Sequence, residues 1–113
     1  VAIDPARIAV SGFSDGATYA LSIGTANPQL FSTVIALSPG PAFTNTYNKQ
    51  QRVFISHGKN DQVLPYSNTR GIVTRLRSKG MPIQFEDFDG RHEIPDEIRD
   101  KSIRFFLNRP SAS

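Results

Sequence analysis

The sequence predicts an α/β fold, a three-layer αβα sandwich built on a four-stranded parallel sheet. Two observations support this prediction. Short runs of apolar, β-branched residues are typical of strands covered on both faces, and segments of helical length and amphipathic pattern lie between them. The expected order is strand, helix, strand, strand, helix, strand, helix. With 113 residues, the chain has the size of one domain, and we expect residues 1–113 to share one core.

The first strand is predicted at residues 7–11, after the turn-forming pair Asp4-Pro5, and it is expected to end at Gly12. A helix should follow at residues 16–26, because Asn27-Pro28 stops it. The residues expected on or near one face of this helix are Tyr19, Ala20, Ile23 and Gly24.

The second strand is predicted at residues 33–37, a fully apolar run that Pro39 and Pro41 prevent from continuing. Residues 44–51 are polar and are expected to form a surface loop. The third strand, residues 52–56, runs into His57-Gly58.

A second helix is predicted at residues 67–78, with Gly80 just beyond its end and Pro82 as a further stop signal. The fourth strand, residues 83–88, alternates between apolar and polar side chains, which favours an edge position. The last helix, residues 95–107, should turn four side chains toward the sheet. They are Ile98, Ser102, Phe105 and Phe106.

Composition excludes several classes of function. The net charge of +3 comes from basic residues scattered among acids, so no nucleic-acid interface is expected, and Arg75, Arg77 and Lys79 fit the solvated face of a helix. The chain has no cysteine, which excludes disulfides, thiolate metal sites and a cysteine nucleophile. No apolar run is long enough for a membrane span.

The start of the chain has neither an initiator methionine nor a leader peptide pattern. We therefore expect a fragment, a domain or a processed piece. Its start does not indicate a localisation, although a cytoplasmic one is expected.

The sharpest chemical signal is the G-x-S-x-G pattern of residues 12–16, placed directly after a predicted strand and before a predicted helix. A sharp turn there would expose the hydroxyl of Ser14 to a histidine, and the flanking glycines would permit the tight backbone. The backbone N–H of Asp15 would then supply one oxyanion donor. The alternative is an ordinary strand-to-helix loop, since a pentapeptide is short.

Two more loops follow predicted strands. Asp61 lies just after the third strand and could orient a catalytic imidazole, or it could be a turn aspartate that binds its own backbone. His92 follows the fourth strand and is the expected general base, whereas His57, at a strand end, is expected to make a structural hydrogen bond. The order serine, aspartate, histidine is that of the α/β-hydrolases.

These three segments, residues 12–17, 57–65 and 90–95, resemble the site segments of the phospholipase/carboxylesterase family of α/β-hydrolases. The resemblance implies hydrolysis of small carboxylic esters or thioesters through an acyl-enzyme, without metal or organic cofactor. It assigns the nucleophile to Ser14, the acid to Asp61 and the base to His92. The side chains expected to line the acyl side of the pocket are Phe13, Val63 and Leu64.

The sequence departs from the family in one respect. Members have several strands before the nucleophile, and nothing here corresponds to them, so we expect a partial domain that resembles the C-terminal half of the α/β-hydrolase fold. The second oxyanion donor normally comes from that front half. The nucleophile strand would be an exposed edge, and we expect residues 7–10 to pair with a second copy or with a separate N-terminal piece.

Two other functions remain open at this stage. The chain could be a non-catalytic binding or interaction module that keeps the hydrolase scaffold. It could also be a flavodoxin-like phosphate-binding domain that uses the turn at residues 12–16, although Asp15 would repel an anion there.

Overall fold

The computed structural model describes residues 8–42 and 46–107. The secondary-structure elements follow in the predicted order. They are β1 (Ala9–Phe13), α1 (Asp15–Ala26), β2 (Thr33–Leu37), β3 (Arg52–Gly58), α2 (Tyr66–Ser78), β4 (Ile83–Phe88) and α3 (Asp96–Leu107). Among these described residues, none of the helices combines the length and the apolar character needed to cross a membrane.

The strands form one parallel sheet in the order β1-β2-β3-β4. Val34 in the second strand pairs with Val10 on one side and Val53 on the other. Because all four strands run in the same direction, their carboxyl ends lie at one edge of the sheet, where an α/β fold places its sites.

The helices cover both faces of the sheet. On one face, α1 and α2 contribute Leu21, Ile72 and Leu76 to a core that includes Val53 and Ile55 of β3. On the other face, α3 packs against the sheet through Ile98 and Phe105, which meet Ile35 and Phe54. The predicted three-layer sandwich is therefore confirmed, as is the edge position of β4.

The first strand extends further than predicted. It was expected to end at Gly12, but its ladder with β2 continues to the pair Phe13↔Leu37. The predicted start at Arg7 lies outside the described residues. Within the described chain β1 is an edge strand, and its pairing with another chain stays a prediction.

The buried face of α1 is not the predicted one. Tyr19 is 68% exposed, contrary to the expectation, while Ala17 and Leu21 are buried beside the expected Ala20. The cause is the helical phase, because Ala17, Ala20, Leu21 and Gly24 have the i, i+3, i+4, i+7 spacing of one face and Tyr19 lies on the opposite side. The helix comes close to the sheet at Gly24, where a Cβ would stand 2.7 Å from a methyl of Val34.

The prediction that residues 44–51 form a surface loop is wrong for the last of them. Gln51 is only 2% exposed, and its Nε2 donates hydrogen bonds to the carbonyl oxygens of Gly24 (2.7 Å) and Phe31 (2.9 Å). A polar side chain can be buried there because backbone carbonyls accept its protons. Thr44, at the start of the predicted loop, lies outside the described residues.

Candidate active site

Ser14 occupies the turn between β1 and α1 in a conformation that is rare for its residue type. Its backbone has φ 61° and ψ −123°, and its N–H donates to the carbonyl oxygen of Leu37 at 3.0 Å. A serine at the start of a helix usually caps it, but the Ser14 side chain makes no capping hydrogen bond. The hydroxyl is therefore left for another partner.

Strain at Ser14 gives a stability prediction. Ser14→Gly should be more stable than Ser14→Ala by about 1 kcal/mol, because glycine adopts a positive φ without the cost that a Cβ incurs there. Urea unfolding of both variants measures the difference. At Ser22, inside α1, the order should reverse, since glycine is a poorer helix former than alanine. Equal stability of the two Ser14 variants would contradict strain at the turn.

The turn depends on one glycine and not on the other. A Cβ on Gly12 would stand 2.2 Å from the carbonyl oxygen of Gly16, whereas a Cβ on Gly16 would meet nothing within 4 Å among the described residues. The expectation that both glycines permit the tight backbone is therefore wrong for Gly16. Gly12 is needed because the first turn of α1 passes directly over the end of β1.

Asp61 lies three residues beyond β3 and has a fully buried side chain. Its Oδ1 accepts hydrogen bonds from the backbone N–H groups of Val63 (2.8 Å) and Leu64 (2.9 Å). Burial raises the pKa of the Asp61 carboxyl, but the hydrogen bonds from His92 and from these two N–H groups outweigh burial and lower the pKa overall. The carboxylate is therefore ionised at neutral pH and accepts hydrogen bonds only.

His92, in the loop after β4, joins Asp61 to Ser14. Its Nδ1 is 2.7 Å from Asp61 Oδ2, and its Nε2 is 2.8 Å from Ser14 Oγ. Because the carboxylate only accepts, Nδ1 bears the proton, and Nε2 has a free lone pair for the hydroxyl proton of Ser14. The arrangement can thus take a proton from Ser14 and hold the resulting imidazolium beside a carboxylate.

The loops that contain Asp61 and His92 are fixed to each other by their backbones. The N–H of Lys59 donates to the carbonyl oxygen of Phe88 (2.9 Å), and that of Asn60 donates to Gly90 (2.9 Å). Gly58 lets them approach, since a Cβ there would stand 2.3 Å from the carbonyl oxygen of Arg91. The sequence gives no local signal of this role for Gly58, because the contact joins segments distant in the chain.

The other predicted site residues lie in these same loops. The Phe13 ring packs against the His92 ring with centroids 4.8 Å apart. Val63 is 65% exposed, and Leu64 is partly buried against Gly40. Asp15 is the first residue of α1, so its N–H has no acceptor within the helix.

His57 is fully buried and makes the kind of structural hydrogen bonds that were expected. Its Nδ1 lies 2.6 Å from Thr69 Oγ1 and its Nε2 lies 2.8 Å from the carbonyl oxygen of Leu64. Thr69 was not among the predicted site residues, because its position on α2 gives no local signal of this contact. Within the described ranges, 8–42 and 46–107, no group of three or more histidine, aspartate or glutamate side chains could hold a metal ion.

Comparisons with solved structures find the same architecture in larger proteins. A phospholipase/carboxylesterase from Dyadobacter fermentans is 27% identical, with a TM-score of 0.76, and the match covers 94% of this chain and 55% of that one. A protein of unknown function from Agrobacterium tumefaciens is 26% identical, with a TM-score of 0.74, over 88% of this chain and 50% of that one.

A carboxylesterase from Bacillus cereus shares the fold with a TM-score of 0.79 at 18% identity, and the match covers 92% of this chain and 50% of that one. This chain therefore spans about half the length of the solved structures that it matches. A search of curated proteins finds no match.

The family comparison covers more of the chain than any single motif does. The model of the phospholipase/carboxylesterase family matches residues 1–108, which include all three loops at the carboxyl edge of the sheet. The chain therefore belongs to the phospholipase/carboxylesterase family of α/β-hydrolases.

Proposed function

We propose that this chain carries the catalytic triad of a serine hydrolase that cleaves carboxylic esters or thioesters, with Ser14 as nucleophile, His92 as general base and Asp61 as the acid. The observation that supports this most directly is the continuous path of hydrogen bonds, 2.8 Å from Ser14 Oγ to His92 and 2.7 Å from His92 to Asp61. Membership of the family supports the same chemistry.

The proposed reaction has two halves. Ser14 Oγ attacks the substrate carbonyl carbon while His92 Nε2 takes the hydroxyl proton, and the carbonyl oxygen becomes an oxyanion near the N–H of Asp15. The intermediate collapses to an acyl-enzyme as His92 returns the proton to the departing alcohol or thiol. Water then attacks the acyl-enzyme with His92 again as the base, and the carboxylic acid product is released.

Asp61 would act through its charge and its fixed position. The imidazolium that forms on His92 is stabilised by the carboxylate at 2.7 Å, and the buried surroundings of Asp61 strengthen this attraction relative to water. The scheme requires neither a metal nor an organic cofactor.

The substrate-facing side chains are also part of the proposal. Phe13 is 37% exposed and Val63 is 65% exposed, so both offer apolar surface to an acyl chain. Phe13 in addition holds the His92 ring from one side. Leu64 is proposed as a third lining residue from the loop that bears Asp61.

Labelling with a fluorophosphonate tests the proposal, because this probe reacts with an activated serine hydroxyl and not with ordinary ones. We expect an adduct on Ser14 of the folded chain, formed about 10²–10⁴-fold faster than on the exposed Ser67. Peptide mass spectrometry locates the adduct.

The controls separate activation from exposure. Ser14→Ala should abolish the adduct, Ser67→Ala should leave it unchanged, and prior unfolding in denaturant should prevent it. A folded chain that stays unlabelled at Ser14 would overturn the proposal. It would favour instead a non-catalytic module that retains the hydrolase scaffold.

A further inference from the structure

The side chain of His57 lies directly beneath the carboxylate of Asp61. It is 0% exposed, and its Nε2 is 3.1 Å from Asp61 Oδ2 in addition to 2.8 Å from the carbonyl oxygen of Leu64. A buried imidazole is thus in contact with both ends of the turn that presents the acid. The mechanism proposed above does not use it.

The partners of His57 fix where its proton lies. Both groups that face Nε2, a backbone carbonyl and a carboxylate, only accept hydrogen bonds, so Nε2 must bear a proton. Thr69 Oγ1 faces Nδ1 at 2.6 Å and has a hydroxyl proton to donate. This hydroxyl can donate to Nδ1, so a neutral His57 has its proton on Nε2 and its lone pair on Nδ1.

The two histidines, when neutral, hold opposite tautomers around one carboxylate. His92 donates its Nδ1–H to Asp61 Oδ2, and Oδ1 accepts from two backbone N–H groups. The Nε2–H of His57 bonds the carbonyl oxygen of Leu64, and Nε2 lies 3.1 Å from Asp61 Oδ2. Three hydrogen bonds and this close, partly positive N–H restrict rotation of the carboxylate. Such restriction matters because a displacement of about 1 Å at a reacting group can cost about 10²-fold in rate.

We propose that His57 is a positioning residue: its Nε2–H, on a ring held in place by Thr69, bonds the carbonyl oxygen of Leu64, attracts Asp61 Oδ2 from 3.1 Å, and so aims this oxygen at His92. This deepens the proposed function and rests on it for its effect on rate, whereas the tautomers follow from the contacts alone. A residue that merely filled the core would need the shape of the imidazole but not its proton.

The tautomers can be read in the wild-type chain, because it contains only two histidines. Long-range ¹H–¹⁵N correlation of the imidazole rings should show His57 with its proton on Nε2 and His92 with its proton on Nδ1. Thr69→Val removes the partner of Nδ1 but leaves both acceptors at Nε2, so the proton should stay on Nε2. A wild-type His57 with its proton on Nδ1 overturns the proposal without any substitution.

The role of the N–H is tested by two replacements of equal chain length. His57→Gln keeps an N–H four bonds from Cα, as in Nε2 of histidine, whereas His57→Met has no donor. We expect Met to slow fluorophosphonate labelling of Ser14 by about 10–10²-fold and to lower the share of His92 with its proton on Nδ1. Gln should stay within about threefold of wild type.

Each outcome has one meaning. Equal labelling rates and equal His92 spectra for folded Gln and Met variants would show that only packing matters, and would overturn the proposal. Should His57→Met fail to fold, the wild-type and Thr69→Val spectra still decide it. An unlabelled wild type would remove the proposed function, yet the tautomers of the two rings would still test the contacts of His57.

Discussion

Asp61→Asn is expected to slow acylation of Ser14 by about 10⁴-fold while leaving the fold intact. The reason lies in the different partners of the two carboxylate oxygens. Oδ1 accepts from the N–H groups of Val63 and Leu64, so the amide carbonyl of asparagine must take this position. The amide NH₂ then replaces Oδ2.

An NH₂ at that position faces two donors. His92 Nδ1 at 2.7 Å and His57 Nε2 at 3.1 Å both bear protons in the wild type. His92 can relieve the conflict by moving its proton to Nε2, where it accepts from the amide through Nδ1. Nε2 then has no lone pair for Ser14, and the hydroxyl loses its base.

The measurement combines a rate with a spectrum. Hydrolysis of a short p-nitrophenyl ester and fluorophosphonate labelling give the rate, and ¹⁵N spectra of the imidazole rings give the position of the His92 proton. Asp89→Asn is the matched control, since the Asp89 side chain is 91% exposed and pairs with Lys59 at 3.8 Å, and it should change the rate less than about twofold. An Asp61→Asn rate within tenfold of wild type would contradict the assigned role.

Much of the fold could be predicted because the strands carry local signals. The bounds of β2 and β4 agree with the sequence prediction at both ends, since an apolar run between turn residues reports a strand directly. The same logic predicted that Ser14, Asp61 and His92 follow strand ends. Their contact distances agree with that prediction, while their catalytic roles stay predictions that the experiments above test.

What could not be predicted depends on contacts between distant segments. The buried face of α1 was an exception, because Ala17, Ala20, Leu21 and Gly24 have helical spacing, but alanine and glycine give a weak hydrophobic signal beside Tyr19. Gln51 is buried because carbonyls of α1 and of the following loop happen to face it. Thr69 contacts His57 across 12 positions of the chain, and a threonine on a helix carries no local sign of such a role.

Gly12→Ala is expected to lower the free energy of unfolding by about 3 kcal/mol or more, out of the roughly 5–15 kcal/mol that holds a domain together. The new Cβ would stand 2.2 Å from the carbonyl oxygen of Gly16 and 2.8 Å from the backbone nitrogen of Ala17. These are backbone atoms, so no side-chain rotation can relieve the overlap. Helix α1 must move away from β1.

That movement would also reach the chemistry. Ser14 lies between Gly12 and α1, and its N–H bond to Leu37 and its 2.8 Å contact with His92 both depend on the present position of the turn. In the Gly12→Ala variant, both the fluorophosphonate labelling of Ser14 and the free energy of unfolding should therefore fall. The Cβ of Gly16→Ala, in the same turn, meets no described residue within 4 Å, and this variant should keep both stability and labelling. Urea unfolding of the pair decides the matter, and a Gly12→Ala chain within about 1 kcal/mol of wild type would show that the close approach of helix to strand is not required.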